Sequence, residues 1–230
     1  MSGPGDDPAS DRRQRGGTVD RSRDRRPGEP TDEPAHDDWA VIVHDVVTSV
    51  VAVLLVGAFL FAVSGVWPPL VAIESGSMHP NMQKNDLVFV MEEHRFPGAG
   101  AVGDTGVVTY RSGADTGHVN FEKPGDVIVY EPAGDGATTP IIHRAMFWVE
   151  KGENWYERAN PDWVGGADSC AELRYCPADH AGFITKGDHN GGYDQVIGSG
   201  ARTGAVKPAW VVGTAEYRIP GLGWIRLRST

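Results

Sequence analysis

Residues 46–80 read VVTSVVAVLLVGAFLFAVSGVWPPLVAIESGSMHP, an apolar run that passes directly into a turn rich in serine and glycine. As a helix, the 21 residues 46–66 would span about 31 Å, which matches a hydrocarbon core of roughly 30 Å. No charge occurs between Asp45 and Glu74, so the stretch predicts a single transmembrane helix. A cleaved signal peptide is the competing reading, but the run is too long for one and no arginine or lysine stands immediately before it. Trp67 suits the headgroup zone, and Pro68 and Pro69 end the helix.

On the C-terminal side lies Glu74-Ser75-Gly76-Ser77-Met78-His79-Pro80. Side chains two apart in an extended segment share a face, so one of Ser75 and Ser77 can attack while the other donates a hydrogen bond. Gly76 allows close backbone approach. The bland alternative is a loop leaving a membrane helix, since serine, glycine and proline are ordinary turn residues.

On the N-terminal side, residues 1–38 carry seven arginines, many acids, glycines and prolines, and almost no large apolar side chains. Such a segment buries too little surface to offset its ordering entropy, which predicts a disordered, charged tail. The arginine cluster, about 20 residues before the helix, favours a cytoplasmic N-terminus. The plan is therefore a tail over 1–38, a membrane-helix region over 39–68 and an extracytoplasmic domain over 69–230.

Past residue 80 the pattern turns to short β-branched and aromatic runs: 86–91, 107–110, 126–130, 141–149, 182–185, 210–218 and 224–227. Turn clusters such as Pro97-Gly98, Pro124-Gly125 and Gly191-Gly192 divide them, and no strong amphipathic helix competes. The expected fold class is mostly β, a single N-terminal transmembrane helix followed by an antiparallel β domain. Two polar stretches, about 92–123 and 150–181, read as insertions running over the surface of a smaller core.

Composition limits the partners. The net charge is −10, which repels phosphate backbones and argues against nucleic acid. Only five lysines accompany sixteen arginines, and high acidity with little lysine suits a protein kept soluble in strong salt. Cys170 and Cys176 fit a small disulfide loop if their segment lies outside the cell, or two free thiols if it does not.

Three polar groups remain. His143 lies in the apolar run Pro140-Ile141-Ile142-His143-Arg144, and Asp188 and Asp194 flank a glycine-rich turn. A serine nucleophile needs a base to take its proton, and a histidine base works best with a carboxylate behind it. Ser77, His143 and either Asp188 or Asp194 fill those roles, although a lone strand histidine is commonly a packed core residue. A calcium loop would use Asp188, Asn190 and Asp194 as positions 1, 3 and 7, but position 12 is Ser199 where a glutamate is expected. No metal and no cofactor is expected.

Five blocks taken together, SGSMHPNMQKNDLVFV (75–90), GDVIVYEP (125–132), PIIHR (140–144), ITKGDHNGGYD (184–194) and YRIPGLGW (217–224), carry a family resemblance. The chain resembles type I signal peptidases of the archaeal and endoplasmic-reticulum branch, and this resemblance, joined to the salt-suited composition, implies a halophilic archaeal source. The resemblance implies Ser77 as nucleophile, His143 as general base where bacterial relatives carry lysine, and acidic roles for Asp188 and Asp194. It also implies an oxyanion site from the Ser77 backbone N–H and the Ser75 hydroxyl. His189 departs from the usual GDNN pattern. The implied partners are secretory preproteins with signal peptides, the lipid membrane, and proximity to the Sec translocon.

Overall fold

The computed structural model describes residues 38–196 and 204–224, so the charged tail read over 1–38 lies outside the described residues except for Asp38, which opens a helix. The chain divides into two compact units, residues 1–48 and 49–230.

One apolar helix, α1 (Asp38–Ser64), begins in the first unit and ends in the second. Its start precedes the uncharged run, because Trp39, Val41, Ile42 and Val43 extend the apolar surface toward the N-terminus. Val53, Leu54 and Leu55 are each about two-thirds exposed or more, and the other helix side chains from Trp39 to Phe59 are exposed as well. A helix apolar all round and uncovered by its own protein suits lipid, where each backbone group is satisfied within the helix. Thr48 follows the same rule, its hydroxyl donating to the His44 carbonyl at 2.7 Å.

In the second unit six strands form one antiparallel sheet: β1 (Leu70–Ala72), β2 (Leu87–Met91), β5 (Val127–Tyr130), β6 (Ile141–Val149), β7 (Gly182–Lys186) and β8 (Val211–Ile219). Their order across the sheet is β1-β2-β8-β5-β6-β7. A two-stranded ribbon, β3 (Val119–Asn120) with β4 (Lys123–Pro124), completes the described strands. In β2, Val88 and Val90 are fully buried while their neighbours are half-buried, the alternation of a sheet with one covered face. All four residues of the central strand β5 are buried, since both of its faces are covered.

One sequence-based expectation changes, and another lies mostly outside the described residues. Residues 107–110 form no strand: Thr109 caps a short helix, α2 (Tyr110–Thr116), that ends at Gly117 with φ 78°. Thr109 and Ser112 bond each other's backbone N–H groups, a capping box that overrides the β-branched composition of Val107 and Val108. Of the run 224–227, only Trp224 is described and it belongs to no strand. The short β1 escaped notice because only three residues follow the two prolines before the chain turns.

The stretches read as polar insertions supply buried side chains. Val107 and Val108 are fully buried, Val107 in a core with Ile128, Tyr130, Phe183 and Val206. From the second stretch, Trp155, Val164 and Leu173 join Phe147, Ile184 and Tyr193 in a separate core. A Cys170–Cys176 disulfide closes one loop of this segment.

Candidate active site

The turn carrying Ser75 and Ser77 links β1 to β2. Met78, only 1% exposed, anchors it in a core with Ile73, Met82, Val88, Val127 and Ala215. Two backbone bonds, His79 N–H to the Gly76 carbonyl and Met82 N–H to the Met78 carbonyl, tighten it. Ser77 is left half-buried and Ser75 exposed, with their hydroxyl oxygens 3.1 Å apart.

His143 arrives on β6, where pairing with Ile128 of β5 fixes its register. The residue is 9% exposed, and Nε2 lies 2.9 Å from Ser77 Oγ. On the opposite side Nδ1 lies 2.6 Å from Asp194 Oδ2. An ionised carboxylate only accepts, so the neutral imidazole carries its proton on Nδ1 and turns the Nε2 lone pair toward the serine hydroxyl. Asp194 is 2% exposed. Its backbone N–H donates to the Thr185 carbonyl at 2.9 Å, and its carboxylate accepts from the Tyr130 hydroxyl at 3.2 Å. Burial, reinforced by the Asp194 charge, pushes the Tyr130 pKa well above 10, so this phenol remains a donor.

Asp188 has a different partner. Its carboxylate receives two bonds from Arg144, Nε at 2.9 Å and Nη2 at 2.8 Å, and Lys123 Nζ lies 3.6 Å away. Arg144 is fully buried and also donates to the carbonyls of Asn120 and Gly125. A planar guanidinium suits such a convergence of acceptors, and its charge requires one. The alternative left open by the sequence thus resolves geometrically: Asp194 stands behind His143, and Asp188 ties down the adjacent Arg144. The Asp188 carboxylate thus faces an arginine and the Asp194 carboxylate a histidine.

The loop bearing Asp188 also touches the serine turn. The His189 backbone N–H donates to the Ser77 carbonyl at 2.8 Å, and the Asp188 N–H points at Met78 Sδ at 3.4 Å. Gly187 has no side chain to intervene; a Cβ there would lie 2.8 Å from the Ser77 carbonyl oxygen. Lys186, buried beside this loop, directs Nζ to the Gly187 carbonyl and lies over the Trp163 ring at 4.7 Å. Burial lowers its pKa.

Sequence reasoning missed Tyr130, Thr185, Lys186 and the anchoring role of Arg144. Arg144 and Lys186 belong to the quoted blocks, and the signal available was a cation placed in an apolar strand, which needs a partner. Tyr130 carried no such signal, since a tyrosine in a strand is ordinary.

The chain matches no protein-family model. Among curated proteins, it is 26% identical over 178 residues to the signal peptidase complex catalytic subunit SEC11 of the yeast Lachancea thermotolerans, covering 75% of this chain and 76% of the relative. It is 25% identical over 159 residues to the protein of the same name in Saccharomyces cerevisiae strain YJM789, covering 69% of this chain and 64% of the relative. The chain therefore spans slightly less than two-thirds of the Saccharomyces protein.

Proposed function

We propose that the chain is a membrane-anchored serine endopeptidase that removes N-terminal signal peptides from secretory preproteins. The observation that carries this reading is the contact series Ser77 Oγ, His143 Nε2, His143 Nδ1 and Asp194 Oδ2, with separations of 2.9 and 2.6 Å on either side of the imidazole. Similarity to SEC11 catalytic subunits supports the same reaction.

In this mechanism His143 takes the Ser77 proton as Oγ attacks the scissile carbonyl, and later delivers it to the departing amine. Asp194 fixes the ring and stabilises the imidazolium. The Ser77 backbone N–H and Ser75 hydroxyl hold the developing oxyanion. Water then hydrolyses the acyl-enzyme with His143 again as base. Small residues before the cut need only shallow apolar pockets, and Leu87, Phe89 and Ile142 are candidates for their walls. Asp188 acts at one remove, binding Arg144 and bracing the Ser77 turn.

The helix α1 confines enzyme and substrate to one bilayer, which raises their effective concentration without a large binding surface. We place the N-terminus in the cytoplasm and the β domain outside, close to preproteins leaving the Sec translocon. A disulfide in that domain supports the assignment, since such bonds persist in oxidising compartments. The acidic, lysine-poor composition supports a halophilic archaeal source.

The deciding experiment compares full-length wild type with Ser77→Ala, both in detergent and strong salt, on a preprotein with a known signal sequence. Cleavage by wild type alone is the expected result. Equal cleavage by both would remove Ser77 as nucleophile. If neither verified, inserted protein cut, the chain would be a non-catalytic anchor or would require a partner subunit.

A further inference from the structure

Two imidazoles outside the catalytic series stand at its edge. His79 follows Ser77 by two residues, and His189 donates its backbone N–H to the Ser77 carbonyl. Their ring centroids are 5.9 Å apart and their planes cross at 58°. The His79 ring folds back over Gly76, where an added Cβ would lie 2.9 Å from Cδ2. His189 is exposed and His79 half-buried. Among the described residues no hydrogen bond engages a ring nitrogen of either one, whereas His94, His118, His143 and His180 each have such a bond.

Free imidazole nitrogens side by side are ligands for late first-row divalent cations. With metal–nitrogen bonds near 2.0–2.1 Å, two rings on one ion place their centroids between about 5 Å for a tetrahedral angle and about 6.5 Å for a linear one. The observed 5.9 Å falls inside that span.

We propose that His79 and His189 form a two-imidazole site for zinc, nickel or copper, and that an ion bound there arrests the Ser77 centre. The arrest rests on the peptidase reading; the ion site itself does not. One ligand lies on the serine turn and the other on the loop that bonds the Ser77 carbonyl, so the ion bridges the two segments that present the nucleophile. Its remaining positions take water and obstruct an incoming peptide. No catalytic step uses the ion.

The test titrates zinc chloride into full-length protein in detergent near pH 7.5 by calorimetry. Expected is an ion site whose affinity falls at least tenfold in His189→Asn and in His79→Gln, and which persists in Ser77→Ala. Glu92, Glu93 and His94 form another group able to gather on one ion, so His94→Gln is run in parallel. Unchanged affinity in His189→Asn, or loss in His94→Gln alone, overturns the proposal. In preprotein cleavage, with each protein referred to its own metal-free rate, His189→Asn is expected to need at least tenfold more zinc for half inhibition than wild type. Equal inhibition of both overturns the arrest. If wild type cleaves nothing, the peptidase reading fails while calorimetry still decides the ion site.

Discussion

Asp188 grips Arg144, the residue next to His143, through two hydrogen bonds at 2.9 and 2.8 Å. Adjacent residues on β6 are thus each matched with one aspartate of the same loop, His143 with Asp194 and Arg144 with Asp188. Strand geometry explains the division, since neighbouring side chains leave a strand on opposite faces.

The two aspartates should therefore fail differently. Asp194→Asn removes the carboxylate that orients the imidazole and should lower kcat by about 10⁴-fold, with little change in KM. Asp188→Asn leaves His143 matched but strips a buried guanidinium of its counter-charge, a loss of about 3–5 kcal/mol in stability. Measuring kcat beside urea denaturation separates them; a reversed pattern would exchange their roles.

Ser75 offers its hydroxyl 3.1 Å from Ser77 Oγ, near the position where negative charge develops. Ser75→Ala should reduce kcat by about 10²–10³-fold while substrate still binds, as loss of one oxyanion donor does. Steady-state kinetics on a signal-peptide substrate checks it, and an unchanged kcat would leave the backbone N–H as the sole donor.

Gly187→Ala would put a Cβ 2.8 Å from the Ser77 carbonyl oxygen and 2.7 Å from Asn190 Nδ2. The backbone oxygen cannot swing aside, so the turn must move. Displacing a nucleophile by around 1 Å costs on the order of 10²-fold in rate. Activity should fall by that amount and the melting temperature should drop with it, since the strain falls on backbone; full activity would show that the loop does not brace the turn.

Glu216 is partly buried, and burial raises its pKa above 4.5, with Asp126 adding to the effect and the Thr214 hydroxyl opposing it. The folded protein therefore holds this proton to higher pH than the unfolded chain. Its contribution to stability is complete below the unfolded value and is lost as pH rises through the folded one. Glu216→Gln cannot ionise and its amide oxygen can still accept from Thr214. The variant should melt higher than wild type by roughly one to two degrees at pH 8, water screening the half-exposed group, with the gap closing near pH 4. A lower melting temperature at pH 8 would contradict the burial argument.

Legibility followed the range of the interactions. Strand 141–149 was readable to the residue because nine β-branched, aromatic and apolar-flanked positions sit between a proline and a charged turn. The helix Tyr110–Thr116 was not, because a local capping box outweighs two preceding valines. Ser77 and His143 were legible as candidate site residues through their motifs, while Tyr130 was not, since its function depends on meeting Asp194 across 64 positions of sequence.

By itself the sequence determined what depends on local chemistry: an uncharged apolar run long enough for a bilayer, alternating strands after it, an acidic surface, and the residue types a serine hydrolase requires. Only the tertiary structure decided which aspartate faces His143, that Cys170 and Cys176 are joined, that the polar stretches carry core residues, and that His79 meets His189. Each of these turns on distances between residues far apart in sequence, or on the conformation of a loop. Sheet register and core packing set those distances, and no short window of residues contains them.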